Sequence, residues 1–203
     1  ISVPGGSELA QKTFNPRLGI IGGISIIGTS GIVRPFSSEA FVNSIRKEIQ
    51  VARALGCTRI VINSGAKSEN YLRSRFPDLP AQAFIHYGNY IGDTLRLADE
   101  EGITHITMGI MIGKAVKLAE GHLDTHSRNV VMNRDFITSL AAESHCHPAN
   151  IARVAEITLA RELWELFTDT PAFFTLLVDR CMTVCRPLLS HATLEIMLVP
   201  EQA

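Results

Sequence analysis

From Ser38 to Leu55 the apolar residues Phe41, Ile45, Ile49, Ala52 and Leu55 recur at steps of three and four, the spacing that lines one face of an α-helix. Ser37 or Ser38 can cap its start and Gly56 stops it. Thr58 to Ile62 is β-branched and apolar, a strand pattern, and Asn63-Ser64-Gly65 then turns into a helix through Tyr71-Leu72 that must end before Pro77. The alternation repeats: Ala83 to His86 as a strand, Gly88 to Glu101 as a helix, Ile103 to Met108 as a strand, Ile112 to Glu120 as a helix. Upstream, the apolar run from Pro16 to Ile21 is expected to be a first core strand, buried on both faces. Beyond His122 the pattern changes. Asn133 to Ser190 has helical periodicity, and the next strand candidate is Thr193 to Val199. The predicted fold is α/β: a mostly parallel, Rossmann-like sheet with helices on both faces, then a helical C-terminal segment (about 130–192) and a final strand.

Composition narrows the picture. A chain of 203 residues, 46% hydrophobic and 19% charged, has enough apolar surface for a real core. Lys+Arg 19 against Asp+Glu 20 leaves no surplus of positive charge to neutralise many phosphates, which argues against a nucleic-acid partner. Cys57, Cys146, Cys181 and Cys185 are scattered and read as reduced, mostly buried thiols, as in a cytoplasmic protein. The longest apolar stretch, Leu18 to Gly28, is too short and too glycine-rich for a membrane helix. Trp164, Phe167, Phe173 and Phe174 read as packing residues of the helical segment. The chain begins Ile-Ser-Val-Pro, so residues 1–17 are expected to be a linker from a missing N-terminal domain and residues 18–203 the α/β domain.

In an open parallel sheet, ligands bind beyond the carboxyl ends of the strands. The loops expected there are small and polar: Gly22-Gly23 through Thr29 and Gly31 to Arg34, then Asn63-Ser64-Gly65 with Lys67, Gly88-Asn89, and Gly113-Lys114. Each alone could be a tight turn, but four together suggest a cleft whose backbone N–H groups suit a phosphate or carboxylate. The glycines do not fit G-x-G-x-x-G, and no G-K-[ST] follows a glycine loop, which weakens a dehydrogenase and removes a P-loop kinase. His122, Asp124 and His126 stand at steps of two and would share a side of an extended segment, as zinc ligands, as acid and base, or as hydrogen-bonded loop residues.

Several stretches together resemble the central signature of the CbiD family. They are Asn15-Pro16-Arg17 through Ser25, Gly28-Thr29-Ser30-Gly31 through Arg34-Pro35, Gly88-Asn89-Tyr90, Gly113-Lys114 through Gly121, and His122-Leu123-Asp124-Thr125-His126-Ser127. The likeness covers roughly residues 1 to 145. The chain departs from the family pattern at Ser30, at Phe36 and over Asp93 to Arg96. The resemblance implies an S-adenosylmethionine-dependent transfer of a methyl group to C1 of the corrinoid cobalt-precorrin-5B, in anaerobic cobalamin biosynthesis. It implies His122, Asp124 and His126 as catalytic residues, and Gly22, Gly23, Thr29, Gly31, Gly88 and Asn89 as cofactor contacts. Arg34, Asn63, Ser64, Lys114 and Lys117 are the expected substrate contacts. The partners implied are a corrinoid, the missing N-terminal domain and a second copy in a homo-oligomer. Two other classes remain open: a non-catalytic tetrapyrrole- or nucleotide-binding module, and a metal-dependent hydrolase built on His122, Asp124 and His126.

Overall fold

A computed structural model describes residues 4–13, 15–24, 37–126 and 130–200. In chain order its helices and strands are α1 (Gly6–Ala10), α2 (Ser38–Ala54), β1 (Arg59–Asn63), α3 (Ala66–Arg75), β2 (Phe84–His86), α4 (Ile91–Glu100), β3 (His105–Met111), α5 (Ile112–Ala119), α6 (Arg134–Glu143), α7 (Pro148–Arg153), α8 (Leu163–Leu166), α9 (Pro171–Cys185) and β4 (Thr193–Val199). The strands form one parallel sheet in the order β2-β1-β3-β4, with Val61 beside Phe84, Ile60 beside Ile106 and Ile106 beside Leu194. The α/β expectation therefore holds, and the final strand joins the sheet as the neighbour of β3.

The period of two along each strand sorts the core into two faces. Ile60, Ile62, Ile85, Ile106, Met108, Ile110 and Ile196 face α2, α4, α5 and α9, in one cluster that also takes in the helical segment after residue 130. Val61 and Phe84 face the other way, onto Leu72 of α3, with Tyr71, Phe76 and Met197 at the margin. Helices thus lie on both sides, but α3 is the cover on the second. The aromatic residues pack as expected: Trp164 stacks on Phe174 with centroids 4.5 Å apart, and Phe167 meets Phe173 at 4.3 Å. Cys146, Cys181 and Cys185 are buried free thiols, and burial pushes Cys185 up to about 12. Among the described residues no helix is long and apolar enough to cross a membrane.

The expected strand from Pro16 to Ile21 does not form. Residues 15–18 make a 3₁₀ turn, Gly19 N–H donates to Pro16 O at 3.2 Å, and Ile20 N–H to Asn15 O at 2.9 Å. Pro16 has no N–H for a ladder, and the turn satisfies its neighbours locally. Ile21 is left 94% exposed, so an apolar run here does not mean a buried one. Residues 1–3 of the expected linker lie outside the described residues.

The approach to β4 is held by one side chain. Asp99, near the end of α4, accepts from the N–H groups of Ser190 (3.0 Å), His191 (2.9 Å) and Ala192 (2.8 Å). Partial desolvation opposes ionisation, but the three N–H donors outweigh it and hold the carboxyl below its ordinary value. A carboxylate depressed in the folded state stabilises above its unfolded pKa, and that contribution is lost as pH falls through the folded pKa. Asp99→Ala should cost about 1–2 kcal/mol at neutral pH, the scale of charge-assisted hydrogen bonds at a partly exposed site. In urea melts taken from neutral to acid pH, the difference between the two proteins should shrink once Asp99 is protonated; a gap independent of pH would remove the carboxylate from this role.

Candidate active site at the carboxyl ends of the strands

The chain passes from β1 to β2 on one side and returns to β3 on the other, so the strand order reverses between β1 and β3. A crevice is expected there, beyond the carboxyl ends of the strands. Three segments frame it: Ser64-Gly65 after β1, Gly88-Asn89 after β2, and the first turn of α5 after β3. At Gly65, which starts α3, a Cβ would meet His86 Nε2 at 4.0 Å, an ordinary contact.

Lys114, half-buried on α5, gathers the site. Its Nζ donates to Gly88 O at 2.7 Å, to Asn89 Oδ1, and to Thr125 Oγ1 at 3.4 Å. Burial pulls its pKa down to about 8, Lys117 adds to the fall, and Asp124 opposes it. The segment that carries Thr125 is aimed back at the crevice by the end of α5. Gly121, at φ 102, donates its N–H to Leu118 O at 2.8 Å, and the His122 N–H reaches Lys117 O at 3.1 Å. This pair of bonds closes a helix through a left-handed residue, which glycine adopts without steric cost. The chain then runs beside the β2–α4 loop: Thr125 N–H donates to Asn89 O at 3.1 Å, Gly92 N–H to Leu123 O at 3.3 Å, and Tyr90 bridges Asp124.

The expected residues divide. Gly88, Asn89, Lys114, Lys117 and the His122–His126 segment come together at one edge. His122 and Asp124 are exposed and His126 half-buried, and Asp124 Oδ1 accepts from His126 N–H at 3.0 Å, so part of that carboxylate shapes the loop. Among the described residues no group of three or more His, Cys, Asp or Glu side chains could hold a metal ion. Asn63 is fully buried, with Nδ2 donating to Ile85 O at 3.1 Å and Oδ1 accepting from Gly65 N–H at 3.2 Å. Its side chain is therefore part of the floor rather than a contact within reach of substrate. Ser64 stays half-buried at the rim. Gly22 and Gly23 are held through their carbonyls by Ser7 (3.3 Å) and Asn15 (2.9 Å). Thr29, Gly31 and Arg34 lie outside the described residues.

Two residues of the site carry no sequence signal of their own. Thr125 is 2% exposed and receives both lysines, yet reads in sequence as one polar loop residue among several. Tyr87 is fully buried, its hydroxyl donating to Gly109 O at 3.2 Å and bonding Ser64, and burial pushes its pKa well up, so it serves as a neutral donor under the crevice. A groove of about 250 Å3 on the helical segment is lined by Arg153, Glu156, Ile157, Glu162, Glu165 and Leu166.

Comparison with known proteins bears on this geometry. Residues 1–35 match the family model described as CbiD, and residues 124–202 that of the CbiD C-terminal domain. The cobalt-precorrin-5B C(1)-methyltransferase of Prosthecochloris aestuarii is 43% identical over 205 residues, covering 100% of this chain and 56% of the relative. The protein of that name from a Geobacillus species is 42% identical over 183 residues (89% of this chain, 50% of the relative). That from Thermus thermophilus is 40% identical over 166 residues (82% and 45%). The chain thus spans about half the length of the curated relatives it matches. No solved structure matches it. Two CbiD family-model matches, at either end of the chain, and relatives about 40% identical along its length show that the chain belongs to the CbiD family.

Proposed function

We propose that this chain forms part of a cobalt-precorrin-5B C(1)-methyltransferase and that the crevice between β1 and β3 is where its ligands bind. The observation that carries the reading is the convergence of Lys114, Asn89, Gly88 and Thr125, from three separate segments, at the switch point of a parallel sheet. The relatives named for this activity support it.

The residues fit a small charged cofactor and a substrate rich in carboxylates. Ser64 and Gly65 bring small residues to the start of α3, and Lys117 offers a cation at the rim. S-adenosylmethionine, when bound, supplies the methyl group as an alkyl sulfonium. The remaining task of the protein is positioning, so no strong side-chain nucleophile is required. In this reading Gly88 and Asn89 shape the cofactor side of the crevice and Lys117 faces a substrate carboxylate. His122, Asp124 and His126 are, in the same reading, the groups that accept the proton displaced from the substrate.

Calorimetric titration with S-adenosylhomocysteine, the product form, tests the reading. Micromolar binding, about 8 kcal/mol, that is lost in Asn89→Ala is the expected result. Binding untouched by changes at Asn89 and Ser64 would place the cofactor elsewhere on the chain. No binding at all would reduce this chain to a substrate-side module of the longer protein.

A further inference from the structure

We infer that Lys114 and Lys117 divide the work of the site: Lys114 is a positioning residue that ties the Gly88-Asn89 loop to Thr125, and Lys117 presents its ammonium to an anionic group of the ligand. The inference rests on the reading of this crevice as a ligand site, and it assigns the two cations different jobs.

An ammonium has three N–H donors and no acceptor. Lys114 has three protein acceptors around Nζ: Gly88 O, Asn89 Oδ1 and Thr125 Oγ1. Its donors are therefore spent within the protein, on groups from two segments 36 residues apart at their nearest (Asn89 and Thr125). What it does is hold those segments together. Among the described residues Lys117 Nζ has one hydrogen bond, to Thr125 O at 3.4 Å, at the long end of the range. Lys117 lies one turn along α5 from Lys114, close enough that its charge disfavours that of Lys114, while Asp124 favours it. Among the described residues, Lys117 is the one of the two lysines with donors left to give to a carboxylate or phosphate.

Amide hydrogen exchange on the chain tests the first assignment. Gly92, Thr125 and His126 donate to Leu123 O, Asn89 O and Asp124 Oδ1, all at the junction that Lys114 spans. In Lys114→Met their amides should exchange about tenfold faster or more while β1 and β3 stay protected, and in Lys117→Met they should remain within about twofold of the wild type. Unchanged exchange in Lys114→Met, or equal loss in Lys117→Met, overturns the assignment. Should Lys114→Met fail to fold, the wild-type ammonium resonances decide: a slowly exchanging signal from Lys114 and none from Lys117 supports it, and the reverse overturns it.

The second assignment is read by titrating an octacarboxylate porphyrin at low and high salt. Lys117→Met should weaken binding about tenfold and flatten its salt dependence, because a screened charge–charge contact is removed. Lys117→Met binding like the wild type, with the same salt dependence, overturns it. A wild-type chain that takes up neither the porphyrin nor S-adenosylhomocysteine ends the ligand-site reading together with the role of Lys117. The exchange result still decides Lys114, so the two failures are distinguishable.

Discussion

Replacing Gly109 by alanine should destabilise the fold by about 1–3 kcal/mol, and most of that loss should disappear when Leu72 is alanine as well. Gly109 sits in the middle of β3 on the face that α3 covers. A Cβ there would press into Leu72 Cδ1, with Cδ2 and Cγ at 2.9 Å. Contact with the whole head of a fully buried leucine leaves no free rotamer to escape into, so α3 itself has to move. Leu72→Ala alone should cost about 2–5 kcal/mol, the transfer of its methyl groups plus the cavity they leave. Adding the alanine at 109 to that background part-fills the same space, so the pair should couple strongly in a double-mutant cycle read by urea melts. Additive costs would mean that α3 already moves freely against the sheet. The site would feel the shift as well, since Gly109 O accepts from Tyr87 and the start of α3 is one wall of the crevice.

The second large effect is expected at Asn63. Asn63→Leu keeps the branching at Cγ in a larger side chain, but it removes the amide donor from Ile85 O, which retains its ladder partner, and leaves the half-buried Gly65 N–H without its side-chain acceptor. An orphaned polar group costs about 1–3 kcal/mol, and a loss of about that size is expected. Asn63→Asp should be worse at neutral pH: it retains the acceptor for Gly65 but faces Ile85 O with an acceptor, and it buries a charge. Burial raises such a carboxyl in the folded state, so the variant should be most stable at acid pH and lose stability as pH rises above the ordinary carboxylate value, the opposite slope to that given by Asp99. Guanidinium melts across pH measure both. A stable Asn63→Leu protein with intact S-adenosylhomocysteine binding would show that the floor is not set by this amide.

These outcomes depend on contacts at very different distances along the chain, and that difference separates what could be read from sequence. Helix α2 was legible residue by residue: Ser37 does cap it, accepting from Ala40 N–H at 3.2 Å, and Ile45, Ile49 and Ala52 are fully buried. Strands β1, β3 and β4 and helices α3, α4 and α5 likewise follow from periodicities of two and of three to four, because those patterns record which side of each element faces the core. The loops that follow the strands, with Gly88, Asn89, Lys114 and the His122–His126 segment, were legible as a set, because a parallel sheet puts all its βα loops at one edge.

The run from Pro16 to Ile21 shows the limit. Apolarity states that a segment can be buried, but not that a neighbour is there to bury it, and here Ile21 faces outward. Asn63 shows a second limit, since a polar residue at a strand end can serve a ligand or the backbone, and only the nearness of Ile85 O and Gly65 N–H decides. The union of Lys114 with Asn89 and Thr125 is of the same kind. Local sequence determined the elements and their inward faces, through steric and hydrophobic periodicity along a few turns of chain. The tertiary structure decided which polar groups lie within 3.5 Å of one another, because hydrogen bonding and desolvation depend on distances across the sheet that no spacing along the chain encodes.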